Sequence, residues 1–213
     1  MIRDTRFSAL ELDALCEVAN IGCGHAATVL SQMIGTTIMI DVPMLTLEPA
    51  SEVARHVAKS DQRVVALSMR IMGDLSGETS FVMREGNALV LCDLLLGRPS
   101  GSGGLSDPME QSSLMEAGNV MASGFLNALS VFLNRCLLPS PPKIFYGPVG
   151  DLHLSPPADE DGRVLVATTN FRFEDATLSA QHVQGMFLFA LDAAARNALF
   201  ATLRHRGKPG KPR

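Results

Sequence analysis

The sequence predicts an α/β fold of the α+β kind: two α-β-β-β-α units, related by a pseudo-twofold and forming one domain, with long helices packed on a mixed or antiparallel sheet. Three observations predict it. Apolar residues recur at helical steps in two long stretches, β-branched and alternating runs follow each stretch, and the polar residues of both helices keep one offset of 99 positions. A chain of 213 residues, 46% of them apolar, is long enough to bury a core. Each half alone, with about 100 residues and three short strands, is not, so the two halves are expected to pair strands and share one core.

The elements follow in order. Leu12, Leu15, Cys16, Ala19, Cys23, Ala26, Ala27 and Leu30 recur at steps of three and four, which predicts a helix from Ser8 to Ile34. TTIMIDVPMLTL, RVVALSMRIM and ETSFVMR read as strands, with GDLSG between the last two as a hairpin turn, and GNALVLCDLLLG as a helix. GRPSGSGGLSDP is a turn-rich linker. A second long helix runs from Met109 through Asn134 on Leu114, Met115, Gly118, Ala122, Phe125, Leu126, Leu129 and Leu133. KIFYG, RVLVATTNFRF and QHVQGMFLFAL then supply three strands, with loops at PSPP and SPPADEDG. DAAARNALFATLR closes the chain as a helix that Asp192 can cap. The two repeats span about 8–98 and 108–205 of a single domain, 1–205, and RHRGKPGKPR makes 206–213 part of a frayed basic tail.

Composition excludes several classes of function. A net charge of −4, no Trp and a single Tyr argue against nucleic acid, which demands a basic face and stacking platforms. The longest apolar stretches, around Ala88 to Leu96 and Met186 to Ala195, are broken by Asp93 and Asp192 and fall short of the ~20 residues of a spanning helix. Asp4, Glu11 and Asp13 interrupt any signal-peptide core, so the expected location is the cytoplasm. Cys16, Cys23, Cys92 and Cys136 form no CxxC pair and are expected to be free thiols serving as small core residues. The five histidines show no ligand spacing, and no metal site is expected. GCGHAA mimics a dinucleotide-binding fingerprint but falls inside a helical pattern, where its small residues suit close packing of another element.

The polar faces of the two long helices carry the functional signal. Asp13, Glu17, Asn20 and Gly24 fall at spacings of four, three and four, and Ser112, Glu116, Asn119 and Ser123 repeat those spacings 99 residues later. Pro43 and Pro142 each follow their Asn by 23 residues. Asn costs a helix interior about 0.5 kcal/mol relative to Ala, yet both copies keep it. Duplication copies residues whether or not they work, so the pattern alone leaves a solvated face and a functional pair equally open.

Glu17 and Asn20 within EVANIGCGHAATVLSQMIG, and Glu116 and Asn119 within LMEAGNVMASGFLNALS, resemble the two active-site signatures of the CheC/CheX/FliY phosphatases of bacterial chemotaxis. Two signatures with no further domain in the sequence resemble the CheC type; Cys23, where that family usually carries a smaller residue, is the main departure. The resemblance implies a phosphatase acting on the aspartyl phosphate of a CheY-like response regulator that brings its own Mg²⁺, with no cofactor held by this chain. It implies that Asn20 and Asn119 orient the attacking water and that Glu17 and Glu116 pair with the regulator's lysine, Asp13 and Ser112 being supporting contacts. It also implies that the receptor deamidase CheD is a partner to consider. The alternative is an adaptor that docks a regulator or CheD without catalysis.

Overall fold

The computed structural model describes residues 9–41, 44–49, 61–99, 101–152, 163–173, 182–191, 195, 197–199 and 201–202. Helix α1 is Ala9–Ile34, followed by strands β1 Ile38–Ile40, β2 Met44–Pro49, β3 Arg63–Gly73 and β4 Gly77–Arg84 and helix α2 Glu85–Leu95. The second half repeats the order with helix α3 Pro108–Leu133 and strands β5 Leu137–Pro139, β6 Lys143–Pro148, β7 Arg163–Phe173 and β8 His182–Leu191. Ala195, Asn197–Leu199 and Ala201–Thr202 are helical, as the closing helix requires. Asp192, the expected cap, and the tail 206–213 lie outside the described residues. The run TTIMIDVPMLTL is two short strands rather than one. Its counterpart in the second half adds a strand before the expected one, because in both copies two short segments pair in succession along a single long strand, β7 or β3.

The eight strands among the described residues belong to one sheet, ordered β1-β7-β8-β4-β3-β5, with β2 beside β7 and β6 beside β3, and every described pairing is antiparallel. The first strands of each half therefore hydrogen-bond to the other half. This interlock is what two units too small to enclose a core would need. The symmetry is visible in one row of directly opposed residues: Leu45, Ala167, Phe187, Phe81, Leu67 and Ile144. Exchanging the halves maps this row onto itself, so the pseudo-twofold passes through the Phe81–Phe187 pair, whose rings lie 4.7 Å apart.

Alternation along the strands separates two cores. Val65, Leu67, Phe81, Met83, Phe187 and Phe189 face the long helices, whereas Val64, Ala66, Val82, Val166, Met186 and Leu188 form a second cluster on the opposite face. The long helices lie against each other, α1 on α3, through a contact made by glycine. A Cβ on Gly22 would stand 2.7 Å from Phe125 Cα, and one on Gly124 would stand 3.0 Å from Ala26 N. GCGHAA is thus a helix-packing segment.

Both helices end alike. Gly35 (φ 72°) and Asn134 (φ 53°) take the left-handed conformation that closes a helix. One turn earlier, Ser31 Oγ accepts the Ile38 amide at 2.9 Å and Ser130 Oγ accepts the Leu137 amide at 3.0 Å, so each hydroxyl ties its helix to the next strand. α3 begins with Asp107 as N-cap, Pro108 at its first position and a capping box closed by Glu110. The linker before it is anchored. Asp93, buried in α2, accepts the Gly101 and Ser102 amides at 2.7 and 3.1 Å, while Arg98 pairs with buried Glu110 at 3.0 Å.

All four cysteines are free thiols, but Cys136 is exposed rather than core. It sits in the turn entering β5, where only its backbone is used: its amide donates to Asp74 Oδ2 and its carbonyl accepts the Asp74 amide, both at 2.8 Å. Among the described residues, no helix is long and apolar enough to cross a membrane.

Candidate functional site

The apolar stripe of each long helix faces inward, which leaves the polar stripe on the surface. On α1, Leu15, Val18, Ala19, Gly22, Cys23, Ala26 and Leu30 are buried, whereas Asp13, Glu17, Asn20 and Gly24 are all exposed. On α3, Ser112 and Glu116 are exposed and Asn119 and Ser123 are half-buried. Helical spacing puts each Asn one turn beyond its Glu on the same side, about 5–6 Å away between Cβ atoms. Because α1 and α3 are exchanged by the pseudo-twofold, the molecule presents two equivalent Glu/Asn pairs.

None of these four side chains makes a hydrogen bond or ion pair to a described residue. Their carboxylates and amides are available to something outside the chain. Asp13 lies close enough to Cys16 for its charge to matter: burial first, then the Asp13 carboxylate, pushes the Cys16 thiol up from its ordinary value. Cys23, on the buried stripe, is pushed up to about 11 by burial alone, which keeps it a neutral thiol at physiological pH. Ile21 and Val120, each next to its Asn, were not picked out by the polar spacing, yet they share the offset of 99; Ile21 is 45% exposed and Val120 half-buried. Only Ile21 stands on its helix's outer face, whereas Val120 packs in part against the core.

A cavity of about 190 Å³ lies on the other face of the sheet, against Met44, Thr46, Val82, Arg84, Val166 and Met186, and includes none of the candidate residues. Arg63, Glu85 and Tyr146 form a separate cluster at the end of β3, with the Tyr146 hydroxyl donating to Glu85 and the Arg63 guanidinium 4.2 Å from the Tyr146 ring centroid.

The class of protein defined by this fold and face is a duplicated α+β domain with paired Glu/Asn helices. Two segments, 10–47 and 109–146, match the model of the CheC-like family, and each contains one long helix with its Glu/Asn pair. Over 140 residues the chain is 33% identical to the CheY-P phosphatase CheC of Bacillus subtilis (strain 168), an alignment covering 63% of this chain and 65% of that relative. The chain therefore matches somewhat less than two thirds of that relative's length. The fold is similar to the crystal structure of Thermotoga maritima FliY, with a TM-score of 0.76 at 22% identity, covering 94% of this chain and 98% of that one. It is also similar to a chain of the Borrelia burgdorferi CheX–CheY–BeF₃–Mg²⁺ complex, with a TM-score of 0.51 at 16% identity, covering 80% and 95%. The resemblance to the CheC/CheX/FliY group carried by the sequence is borne out: each repeat contains a segment that matches the CheC-like family model.

Proposed function

We propose that this chain is a phosphatase that accelerates hydrolysis of the aspartyl phosphate of a CheY-like response regulator. In this reading residues 1–205 act as one domain with two sites, Glu17 with Asn20 and Glu116 with Asn119. The observation that carries it is the presentation of two register-matched Glu/Asn pairs on the long helices, all exposed but for half-buried Asn119, whose side chains bond to no described residue. Names of similar proteins support the same class: one relative is a CheY-P phosphatase, and one similar fold occurs in a complex with CheY.

The chemistry needs little from this chain. An acyl phosphate is already activated, and the regulator's own Mg²⁺ and lysine neutralise charge on the phosphoryl oxygens, so no nucleophile or metal of this chain is required. What remains is to place a water in line with the P–O bond that breaks. The Asn20 and Asn119 amides, each able to accept from and donate to that water, fix its position. Glu17 and Glu116 pair with the regulator's lysine, which holds the two proteins in register. Asp13 and Ser112, one turn earlier on the exposed faces, support docking.

The test is the decay of a phosphorylated regulator. Asn20→Ala with Asn119→Ala should remove nearly all acceleration without unfolding, since Ala is the stronger helix former at both positions and neither Asn side chain bonds to a described residue. Loss of water positioning should cost on the order of 2–4 kcal/mol per site, or roughly 30- to 1,000-fold. Each single variant keeps the other site's rate. A double variant as fast as wild type would replace this reading with that of a non-catalytic adaptor.

A further inference from the structure

The fourth residue of the repeated polar pattern, Gly24 in α1 and Ser123 in α3, has no part in the chemistry above. Gly24 is anomalous on structural grounds. A helix interior disfavours glycine more than any residue except proline. Its neighbour in sequence, Gly22, is explained by Phe125, whose backbone leaves no room for a Cβ. At Gly24 a Cβ would meet nothing within 4 Å, and the residue is exposed. Neither packing nor backbone conformation within the chain requires glycine there. One turn further on, Thr28 folds its hydroxyl back onto the Gly24 carbonyl at 2.9 Å, which keeps that side chain low on the helix. The outer face beyond Asn20 is therefore a shallow notch, bordered by Asn20 and by Ile21, which is 45% exposed. The equivalent position in α3 holds another small residue, Ser123, bordered by Val120.

We infer that this notch is the docking surface that sets how closely the phosphorylated regulator approaches the helix. The inference rests on the phosphatase reading for its partner. Asn is a short side chain, and the phosphoryl group lies in the regulator's own site. The amide can reach that group's attacking water only if the regulator's surface comes close to the helix backbone. A small residue one turn beyond Asn20 permits that approach, and Ile21 and Val120 supply apolar contact beside it. Gly24 and Ser123 are thus positioning residues: they let the regulator seat against the helix, so their effect is on association, and Asn20 and Asn119 act once it is seated.

The experiment isolates one site at a time. In an Asn119→Ala background, Gly24→Ala should raise the melting temperature and lower kcat/KM by less than the larger Gln side chain does. Gly24→Gln, a good helix former, should lower kcat/KM at least tenfold through KM, with no fall in melting temperature. The same loss is expected for Ser123→Gln in an Asn20→Ala background. In parallel, calorimetry with a CheY-type regulator loaded with beryllofluoride and Mg²⁺ should show affinity reduced at least tenfold by Gly24→Gln. Unchanged kcat/KM and affinity in both Gln variants, or a fall in kcat with KM unaltered, would overturn the inference. If wild type does not accelerate decay, the phosphatase reading fails by itself and the binding titration decides the notch. Weaker binding by Gly24→Gln then supports it, and unchanged binding or no binding by wild type overturns it.

Discussion

Replacing Gly22 by alanine drives a methyl group into the backbone of the opposing helix. Its carbon would lie 2.7 Å from Phe125 Cα and 3.1 Å from Phe125 Cδ2, against a comfortable carbon–carbon separation of roughly 3.5–4.0 Å. The nearest atom is main chain and cannot rotate away, so α1 and α3 must part by about 1 Å. Overpacking costs about 1–3 kcal/mol, and against a main-chain obstacle the upper part of that range, about 2–3 kcal/mol, applies; the higher helix propensity of alanine returns about 1 kcal/mol, leaving a net loss of about 1–2 kcal/mol. For a chain of this size that corresponds to a melting temperature lower by roughly 3–8 °C. Gly24→Ala, two residues away, is the internal control: its methyl enters open space, so the full gain of about 1 kcal/mol should appear as a rise of roughly 2–4 °C. Thermal unfolding followed by far-UV circular dichroism measures both. A Gly22→Ala protein that melts at or above wild type would refute the glycine-mediated crossing.

Two further predictions concern buried groups. Asp93→Ala should lower the urea midpoint by the equivalent of about 2–4 kcal/mol, because the Gly101 and Ser102 amides lose their acceptor. Asp93→Asn should be far milder: its oxygen can still receive those amides, and its NH₂ replaces an oxygen, Oδ1, that has no partner and lies across Gly103 from Glu110 Oε1. Burial raises the Cys23 thiol from 9.0 to about 11, so the folded state holds its proton longer than the unfolded chain. Its stabilising contribution is complete below about pH 9 and is lost as pH rises through about 11, at most roughly 2–3 kcal/mol. Comparing wild type with Cys23→Ala by urea denaturation between pH 8 and pH 11 should show a flatter profile in the variant.

The repeat was legible because a helix face and a strand face leave different periods in the sequence, and the offset of 99 places Ala9–Ile34 on Pro108–Leu133. The candidate residues were legible for the same reason, since Glu17, Asn20, Glu116 and Asn119 stand out only once the two helices are aligned. The Asp93–Glu110 clasp was not legible. GRPSGSGGLSDP has the composition of a free linker, and nothing in it indicates that a buried carboxylate in α2 gathers its amides.

By itself, then, the sequence determined which segments are helix and strand, which face of each is apolar, and that the whole is duplicated. Those properties depend on local periodicity. Tertiary structure alone decided that β1 and β2 pair with β7, and β5 and β6 with β3, because backbone amides and carbonyls carry no residue label and any strand edge can satisfy them. It placed the pseudo-twofold at Phe81 and Phe187, and it separated Gly22, pressed on Phe125, from Gly24, open to solvent. Two glycines with one residue between them are chemically identical in sequence, and only the neighbouring helix gives each its meaning.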